Sequence, residues 1–392
     1  MELNTLIVDT NFSSAPIYDY LSNQGHRVYV IGNNPNDYLA VISKNYINSD
    51  YTKHNLLLNA VDEYDIDYVI PGCNDHSYEA CSMLNDHICN IDDYKTNHIL
   101  MNKSKFRQFS HDNNISIPAV FSQMDVLKIN KPTELIVKPV DSFSGKGITK
   151  VISTDKSSLE EAIKIARGES RKNEYLIEEF IEGQLYSHSA FIEDQSILQD
   201  FFVQEHGSVN PFVVDTSYVL NDFPKEIGKG IQKEIEKIST LLKLSDGLVH
   251  TQFIVNDGKF WLIEITRRCP GDLYSKLINL STGFDYSGNY AKKFIGQSYD
   301  KVKLKSNYQS VIRHTITTNK TGWFEYLSFK VDLALIDFHI FKRSGSHIEP
   351  SPKGRIGVLF ANAGTIEELS RLLNKFISRL VYQIKLKLSN ES

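Results

Sequence analysis

Residues 135–151, with the sequence LIVKPVDSFSGKGITKV, carry the clearest structural signal in the chain. Apolar and β-branched residues predict one strand over residues 135–140 and a second strand over residues 148–152. The residues between them, 141–147, include two glycines and lack a helix start signal. The segment therefore predicts two strands joined by a glycine-containing loop.

The residue types in this segment suit the binding of phosphate. Lys138 lies in the first predicted strand, and Gly145 and Gly147 flank Lys146 in the loop. Glycine lets backbone N–H groups approach a phosphate closely, and lysine adds a positive charge. The spacing differs from that of a Walker A loop, which leads into a helix. We predict a loop that covers a phosphate group; an ordinary hairpin with an edge lysine is the alternative.

The composition argues against several classes of protein. The chain has 392 residues, of which 41% are hydrophobic and 23% charged, as is typical of globular proteins. A net charge of −5 gives no electrostatic reason to expect a nucleic acid or an anionic membrane as a partner. We find neither a signal peptide nor an apolar run long enough to span a membrane, so we expect a cytoplasmic protein. The spacing of Cys73, Cys81 and Cys89 suits small buried side chains better than zinc ligands.

The N-terminal part alternates strands and helices. Apolar runs predict strands at residues 5–8, 27–31 and 68–71, with amphipathic helices between them. This order predicts a parallel, Rossmann-like sheet, although the first loop lacks the G-x-G-x-x-G dinucleotide motif. Asn74 and Asp75 follow a strand end, where open α/β sheets bind ligands; a turn with a helix N-cap is the alternative.

The rest of the chain mixes helices and strands. The pattern predicts one helix over residues 94–114 and another over residues 158–168, which a capping box of Ser158 and Glu161 would open. A long helix is predicted over Lys225–Leu242, among several strands. The chain therefore belongs to the α/β class, with α+β elements.

A second informative segment is residues 250–271, HTQFIVNDGKFWLIEITRRCPG. Two apolar strands flank Asn256-Asp257-Gly258, which predicts a hairpin with a three-residue loop. In that register Gln252 is a diagonal neighbour of Glu264 on one face, whereas a two-residue turn would place them on opposite faces. The side chains predicted to project together from this face are His250, Gln252, Glu264, Thr266 and Arg268.

Glu264 lies within the apolar run LIEIT, where an unpaired carboxylate would be costly to bury. A magnesium ion that holds nucleotide phosphates would satisfy it, because hard cations prefer carboxylate and amide oxygens. An ion pair between Glu264 and Arg268 without a metal is the alternative.

In order and spacing these segments resemble the ATP-grasp superfamily, in the branch that contains biotin carboxylase, carbamoyl-phosphate synthetase and L-amino acid ligases. The resemblance spans nearly the whole chain. It lies in Lys103 of NKSKFR, Lys138 of VKPVDSFSGKG, the run EEFIEG at residues 178–183, and Glu264 and Arg268 of IEITRR.

The resemblance implies a fold in three parts. Residues 1–95 would form a parallel-sheet, Rossmann-like pre-ATP-grasp domain. Residues 96–178 would supply linker helices and the lid subdomain of a two-part ATP-grasp fold, and residues 179–392 its catalytic subdomain. At the level of the family, a homodimer is expected.

The resemblance also implies roles for individual residues. Lys103 and Lys138 would contact the α- and β-phosphates of ATP, and the lid residues would close over the triphosphate. Glu264 would bridge two Mg²⁺ (or Mn²⁺) ions, and Arg268, with Lys138, would act in catalysis by steadying an acyl phosphate. The residues implied in nucleotide binding are Lys103, Lys138, Ser142, Ser144, Gly145, Lys146, Gly147, Glu178, Glu179, Phe180 and Ile181.

Three positions depart from the family pattern. The first metal carboxylate, twelve residues before Glu264, is here Gln252, and the usual asparagine two residues after Glu264 is Thr266. The glutamate that commonly holds the ribose hydroxyls is Leu185. Gln252 and Thr266 still offer oxygen atoms, so we keep both as metal ligands beside Glu264.

Together these parts imply an ATP-dependent carboxylate–amine ligase. ATP would phosphorylate a small carboxylate, and an amine would displace phosphate to form an amide or peptide bond, with release of ADP and phosphate. No enzyme nucleophile is required. The alternatives are a carboxylase or carbamoyl-type enzyme acting through carboxyphosphate, and a nucleotide-binding protein that has lost catalysis.

Several charged residues are candidates for binding the acid and the amine, with a structural or solvated role as the alternative for each. Arg313, in the strand-like VIRHTITT, would fork onto a carboxylate. Arg267 and Arg268 point opposite ways as they leave a strand, so Arg267 would face the protein body. The candidates are Arg267, Asp272, Lys276, Arg313, His188 and His206.

Overall fold

The computed structural model describes residues 3–84, 88–142, 145–300 and 308–387. Its N-terminal elements are β1 (Asn4–Val8), α1 (Ala15–Asn23), β2 (Arg27–Gly32), α2 (Tyr38–Ile42), β3 (Tyr46–Asn48), α3 (His54–Glu63), β4 (Tyr68–Pro71) and α4 (Asp75–Cys81). The strands form one parallel sheet in the order β3-β2-β1-β4, the N-terminal sheet, which confirms the predicted β-α-β alternation. Asn74 is the N-cap of α4, since its side chain accepts a hydrogen bond from the Ser77 N–H at 2.9 Å.

Two short helices follow where the sequence predicted one. They are α5 (Tyr94–Met101) and α6 (Lys103–Asp112). The single helix over residues 94–114 was wrong because Asn102 is extended and caps α6 by accepting a hydrogen bond from the Lys105 N–H at 3.0 Å. The interruption makes Lys103 the first residue of α6, with its N–H donating to the Val140 carbonyl at 3.0 Å.

The next sheet, here called the lid sheet, contains the segment that opened the sequence analysis. Its elements are β5 (Val120–Phe121), α7 (Gln123–Val126), β6 (Glu134–Pro139), β7 (Thr149–Ile152), α8 (Lys156–Glu169) and β8 (Tyr175–Glu179). The strands are antiparallel in the order β5-β8-β6-β7, and β6 and β7 confirm the two predicted strands on either side of the loop. The predicted capping box at Ser158 was wrong: α8 begins earlier, and Asp155 caps it by accepting from the Ser158 N–H at 3.0 Å.

The largest sheet, here called the floor sheet, has eight strands in the order β13-β12-β9-β10-β11-β14-β18-β16, and a small sheet has the order β17-β15-β19. The remaining elements are β9 (Gln184–Glu193), β10 (Ser196–His206), β11 (Thr216–Val219), α9 (Lys225–Leu242), β12 (Gly247–Asn256), β13 (Lys259–Thr266), α10 (Tyr274–Thr282), α11 (Tyr286–Phe294), β14 (Val311–Thr317), β15 (Gly322–Phe329), β16 (Ala334–Ile340), β17 (His347–Ile348), β18 (Arg355–Asn362), α12 (Ile366–Ile377) and β19 (Tyr382–Lys387).

The two faces of the floor sheet are covered differently. On one face, Ile231, Ile235 and Ile238 of α9 pack in a core with Val249 and Phe253 of β12. The other face shares a core with α10, α11 and the N-terminal sheet, so this layer joins both ends of the chain. The mixed architecture confirms the predicted α/β class with α+β elements. Within the described residues, no helix is both long and apolar enough to cross a membrane.

The β12–β13 hairpin has a different register from the predicted one. Asn256 pairs with Lys259, so the turn has two residues, Asp257 and Gly258, both with positive φ. A bulge then leaves Ile263 as an extra residue, because Phe253 pairs with Leu262 and Gln252 pairs with Glu264. With a two-residue turn alone, Gln252 and Glu264 would lie on opposite faces of the hairpin. The extra residue returns them to the same face. As a result Leu262, rather than Trp261 or Ile263, joins the apolar face.

Candidate active site

A cleft with a volume of about 730 Å³ lies between the lid sheet, the floor sheet and the loops that follow β1 and β4. It brings together residues that the sequence places far apart. The predicted site residues that line it are Lys103, Lys138, Ser142, Gly145, Lys146, Glu178, Glu179, Phe180, Ile181, Gln252, Glu264, Thr266, Arg268, Asp272 and Arg313. His250 lines it too, so the polar face predicted for the hairpin is present despite the change of register.

Other predicted residues lie away from the cleft. Arg267 is buried against the protein body, where it donates to Asp92 and to the carbonyls of Leu248 and Ser245. This position does not suit substrate binding. Arg267 faces the protein body, as expected from its position next to Arg268 in the sequence. Ser144 lies outside the described residues.

The residues that line the cleft do not include either histidine candidate, Lys276 or Gly147. His188 is fully buried and contacts Asp200 at 2.8 Å, and His206 does not line the cleft. Lys276 pairs with Asp337. Gly147 has a positive φ, and a Cβ there would meet Pro139 and Glu169, so its glycine serves local packing.

Lys138 is held by a buried carboxylate at the top of the cleft. It is paired with Glu178, which also accepts from the Arg107 guanidinium, and all three side chains are buried. Burial raises the pKa of Glu178, but Arg107 and Lys138 outweigh that effect and leave it below the usual value. Burial lowers the pKa of Lys138 to about 8, with Glu178 opposing the shift. Glu178 therefore positions a lysine rather than facing a ligand by itself.

Lys103 joins the lid to the floor of the cleft. Its ammonium donates to the Ser142 carbonyl at 2.7 Å and to Glu264 Oε1 at 3.3 Å. The Glu264 side chain is 40% exposed, so its carboxylate remains accessible from the cleft. The ion pair that the structure shows for Glu264 is thus with Lys103, and the expected alternative partner Arg268 is paired elsewhere.

The backbone after β8 runs along the cleft wall. The Glu179 N–H donates to the Ala119 carbonyl at 2.8 Å, and the Phe180 N–H donates to the Glu134 carbonyl at 3.1 Å. The Lys150 ammonium lies 3.9 Å from the centre of the Phe180 ring. These contacts hold the segment in place, and residues 179–183 line the cleft.

Arg268 makes a two-pronged ion pair with Asp75, the first residue of α4. Its Nε donates to Asp75 Oδ1 at 2.5 Å and its Nη2 to Oδ2 at 3.2 Å. Burial raises the pKa of Asp75, but Arg268 outweighs it, so the pKa lies below its usual value. Asp75 is therefore both near the cap of α4 and part of the cleft wall.

A second group of charges lies at the far end of the cleft. Arg313 donates to Ser217 Oγ, from Nη2 at 2.5 Å, and to the Asp272 carbonyl at 3.1 Å. Arg355, at the start of β18, pairs with the Asp272 carboxylate. Asp272 and Leu273 both have positive φ, a conformation that non-glycine residues adopt at a cost of about 1 kcal/mol each. Two guanidinium groups thus converge near one strained turn.

The floor between these groups carries a second carboxylate, Glu205 of β10. Gln252 Nε2 donates to Glu205 Oε2 at 2.7 Å, and Glu205 is 4% exposed. Burial raises the pKa of Glu205; hydrogen bonds from Ser187 and Gln252 and the charge of Arg313 only partly offset it. His250, which also lines the cleft, is neutral, since burial lowers its pKa to about 3.

The cleft residues suit a nucleotide with a divalent cation. Lysines from the lid sheet and α6 face an accessible carboxylate, and Gln252 and Thr266 add the hard oxygen donors that Mg²⁺ prefers. Among the described residues, no three Asp, Glu, His or Cys side chains form a metal cluster by themselves. Mg²⁺ sites in nucleotide enzymes commonly use one or two carboxylates, and phosphate oxygens complete the shell.

Several cleft residues were not singled out from the sequence. Glu205 had a signal, because it follows Phe201 and Val203 at a spacing of two on the buried face of a strand. Arg107 and Arg355 had no such signal. Arginines in a helix or at the start of a strand are usually exposed, so the sequence offers no reason to select these two. Their partners Glu178 and Asp272 come from distant parts of the chain.

Comparisons with known proteins agree with this geometry. Residues 131–276 match the model of the ATP-grasp domain family. A search of curated proteins gave no significant match.

Solved structures share the fold over nearly the full chain. Phosphoribosylglycinamide synthetase from Anaerococcus prevotii superposes with a TM-score of 0.74 at 17% identity, covering 99% of this chain and 100% of that one. L-amino acid ligase from Bacillus licheniformis gives 0.80 at 18% identity, covering 98% and 99%. The biotin carboxylase domain of the 2-oxoglutarate carboxylase from Hydrogenobacter thermophilus, a dimer in complex with MgADP, ADP and bicarbonate, gives 0.74 at 13% identity, covering 99% and 92%.

Residues 131–276 therefore match an ATP-grasp domain, as the motifs at Lys138 and Glu264 implied. The likeness to the solved structures extends the shared fold to the N-terminal sheet and the C-terminal strands.

Proposed function

We propose that this protein is an ATP-dependent carboxylate–amine ligase that forms an amide bond through an acyl phosphate and releases ADP and phosphate. The observation that carries the proposal is the convergence of Lys103, Lys138, Glu264 and Arg268 on one cleft. These residues come from α6, β6, β13 and the loop that follows β13, and the cleft is their common surface.

In this proposal the nucleotide lies between the lid sheet and the floor sheet. The backbone of residues 179–181 faces the adenine edge, and Leu185 provides an apolar contact for the ribose. Lys138 and Lys103 donate to the α- and β-phosphates, while Ser142, Gly145 and Lys146 cover the triphosphate. The loop shields the reacting groups from water, which an acyl phosphate requires.

Mg²⁺, when bound, would withdraw negative charge from the phosphate oxygens. Glu264, Gln252 and Thr266 are the side chains that would hold it. Lys103 already contacts Glu264, so the lysine and the cation that Glu264 would hold both place positive charge near the phosphates.

The chemistry then needs only positioning and charge from the protein. A carboxylate oxygen attacks the γ-phosphorus, and the bond to the ADP oxygen breaks. The amine nitrogen attacks the acyl carbon, phosphate leaves with the bonding electrons, and the amine loses a proton to water or phosphate. Arg268, oriented by Asp75, donates to the oxygens on which charge develops.

The end of the cleft formed by Arg313 and Arg355 suits the acid substrate. A planar guanidinium binds a carboxylate through two parallel hydrogen bonds. Arg313 is fixed by Ser217 and the Asp272 carbonyl, so it is pre-oriented toward the cleft. Asp272, also on the cleft wall, is suited to an amine.

The test is phosphate release from ATP over pooled acids and amines, with amide products identified by mass spectrometry. We expect phosphate release that requires an acid and an amine together, with one amide formed for each ADP. Release that requires bicarbonate instead would indicate carboxyphosphate chemistry. ATP binding without turnover over the whole panel would contradict the ligase.

A further inference from the structure

The floor of the cleft contains one more carboxylate than the predicted metal site. Glu264 on β13 pairs across the hairpin with Gln252 on β12, and Gln252 donates from Nε2 to Glu205 on β10 at 2.7 Å. Three side chains from three strands therefore form a row on the surface that faces the lid. The side chain at the centre of the row is neutral, and a carboxylate lies at each end.

The surroundings of Glu205 do not neutralise it directly. Its hydrogen-bonding partners, Gln252 and Ser187, are uncharged, and the cation that acts on it, Arg313, is turned toward Ser217 and Asp272. Burying a carboxylate beside neutral groups is unfavourable unless a cation is nearby. A strand position of this kind is ordinarily filled by an apolar residue, as it is at Phe201 and Val203.

The orientation of Gln252 determines which of its amide atoms remains available in the cleft. The amide turns its NH₂ toward Glu205, whose Oε2 accepts at 2.7 Å. The amide oxygen is then directed away from Glu205. Gln252 thus holds one carboxylate in place and leaves its own oxygen as a hard donor for a cation.

We propose that Glu205 supplies the second carboxylate of the metal site, on β10 rather than on β12. The assignment rests on the proposed function, since the cation is the one that accompanies the nucleotide phosphates. In this arrangement Glu264 and Glu205 bind the metal from two sides, and Gln252 between them fixes Glu205 and contributes its oxygen. The carboxylate that is missing at position 252 of β12 would thus come from β10, which is separated from β12 in the sheet by β9.

Two other roles for Glu205 predict different experimental results. A buried carboxylate also suits the ammonium group of an amine substrate, or serves as a distant counter-charge for Arg313. In the first case its loss would raise the KM for the amine, and in the second it would lower stability. Neither role would change the affinity for a metal measured in the absence of substrates.

The experiment measures Mn²⁺ binding to the full chain by electron paramagnetic resonance, with β,γ-methylene-ATP present and both substrates absent. Glu205→Gln is expected to weaken Mn²⁺ binding at least tenfold, as is typical for loss of a metal-site carboxylate partner. The affinity for the nucleotide analogue without metal should change less than threefold. Glu234→Gln is the matched control, a partly buried glutamate on α9 outside the cleft, and should bind Mn²⁺ like the wild type.

A double variant tests the position of the charge itself. Glu205→Gln with Gln252→Glu exchanges the carboxylate and the amide while keeping their hydrogen bond, so Mn²⁺ affinity should return to within threefold of the wild type. If Glu205→Gln does not fold, Glu205→Asp retracts the charge by one methylene and should weaken Mn²⁺ binding at least threefold.

Two kinds of failure can be told apart. If the wild type binds the analogue and Mn²⁺, but Glu205→Gln, or Glu205→Asp in its place, keeps the wild-type Mn²⁺ affinity, Glu205 is not a ligand and the ligase proposal stands. The same conclusion holds even if the KM for the amine rises. If the wild type binds neither nucleotide nor Mn²⁺, the proposed function and this assignment both fail.

Discussion

Lys138 illustrates how burial prepares a single residue for its ligand. The ammonium is enclosed with Glu178 and Arg107, and desolvation lowers its pKa to about 8 despite the adjacent carboxylate. A lysine with this pKa is mostly charged at neutral pH and mostly neutral at pH 9. A bound phosphate would favour the charged form and raise the pKa again.

We therefore expect nucleotide affinity to fall as pH rises above about 8. Below that pH the lysine is already charged, so nucleotide binding takes up few protons from solution. Above that pH the amine must be protonated for the nucleotide to bind, so binding takes up as much as one proton per nucleotide. Calorimetry at pH 7 and pH 9, in buffers of different ionisation enthalpy, measures this uptake directly. Lys138→Met should bind nucleotide weakly with no proton uptake at either pH, and equal uptake in the variant would contradict the assignment.

The adjacent arginines 267 and 268 provide a second test, because they are neighbours in the chain but point in different directions. Arg268→Lys loses the two-pronged contact with Asp75 and should lower turnover about 100-fold, the usual effect of removing a donor to a developing charge. Arg267→Lys loses hydrogen bonds to Asp92, Leu248 and Ser245, and should lower the free energy of unfolding by about 2 kcal/mol. Steady-state kinetics and urea unfolding of both variants check the prediction. An equal loss of turnover in the two variants would contradict a catalytic role that is specific to Arg268.

At the residue scale the sequence was most informative where a motif has a fixed local geometry. Lys103, Lys138 and Glu264 were predicted as cleft residues and line the cleft. Of the other candidates, His188 and Arg267 are buried in other surroundings, as was expected for Arg267, and His206 does not line the cleft. The roles of Arg107 and Asp75 could not be predicted, because they depend on partners more than 70 residues away along the chain.

At the scale of elements, small irregularities determine where side chains point. The two-residue turn in the β12–β13 hairpin would have sent Glu264 to the apolar face, and one extra residue at Ile263 reverses that effect. The break at Asn102 has a similar consequence, since it places Lys103 at the start of α6 beside Val140. Bulges and helix breaks have weak sequence signals, so neither was predicted. The polar face of the β12–β13 hairpin was nevertheless predicted correctly, because the three-residue loop that was assumed has the same effect on alternation as the two-residue turn with its bulge.

The lid loop, residues 142–147, offers a test of one such irregularity. Gly145 has a φ of +69°, and a Cβ there would lie 2.6 Å from the Phe212 carbonyl oxygen, in the loop after β10. Gly145→Ala should therefore disfavour the closed position by about 1 kcal/mol or more and weaken ATP binding several-fold. Phosphate release without amide formation should increase, because water reaches the acyl phosphate.

The ratio of phosphate to amide, with the KM for ATP, measures this effect. Gly168→Ala is the matched control, because Gly168 is in α8, a Cβ at this position would have nothing within 4 Å, and the helical conformation suits alanine. That variant should keep the wild-type ratio and gain some stability. An unchanged ratio in Gly145→Ala would show that closure does not depend on this contact.

At the scale of the whole molecule, the distribution of apolar cores predicts which parts move together. The N-terminal sheet and the floor sheet share one core, in which Leu6 and Val69 belong with Phe191 and Tyr286, and the Tyr290 hydroxyl donates to the Pro71 carbonyl at 3.1 Å. The lid sheet has a small core of its own, formed by α8 and β6 with residues such as Leu135 and Ala162. A separate core allows a sheet to open without unfolding the rest.

We expect hydrogen exchange to divide the chain along these cores. Amides of β6 and β7 should exchange faster than those of β1, β9 and β10 in the free protein, since only a small core holds the lid sheet. Addition of MgATP should slow exchange in β6, β7 and β8, because in the proposed function Lys138 and the backbone at residues 179–181 contact the nucleotide, and should leave β1 nearly unchanged. Mass spectrometry of peptic fragments measures each strand, and Lys138→Met is the control in which nucleotide should protect the lid sheet much less. Equal protection of β1 and β6 in the free protein would show that the lid sheet is not an independent unit, and the shielding step would then require another moving part.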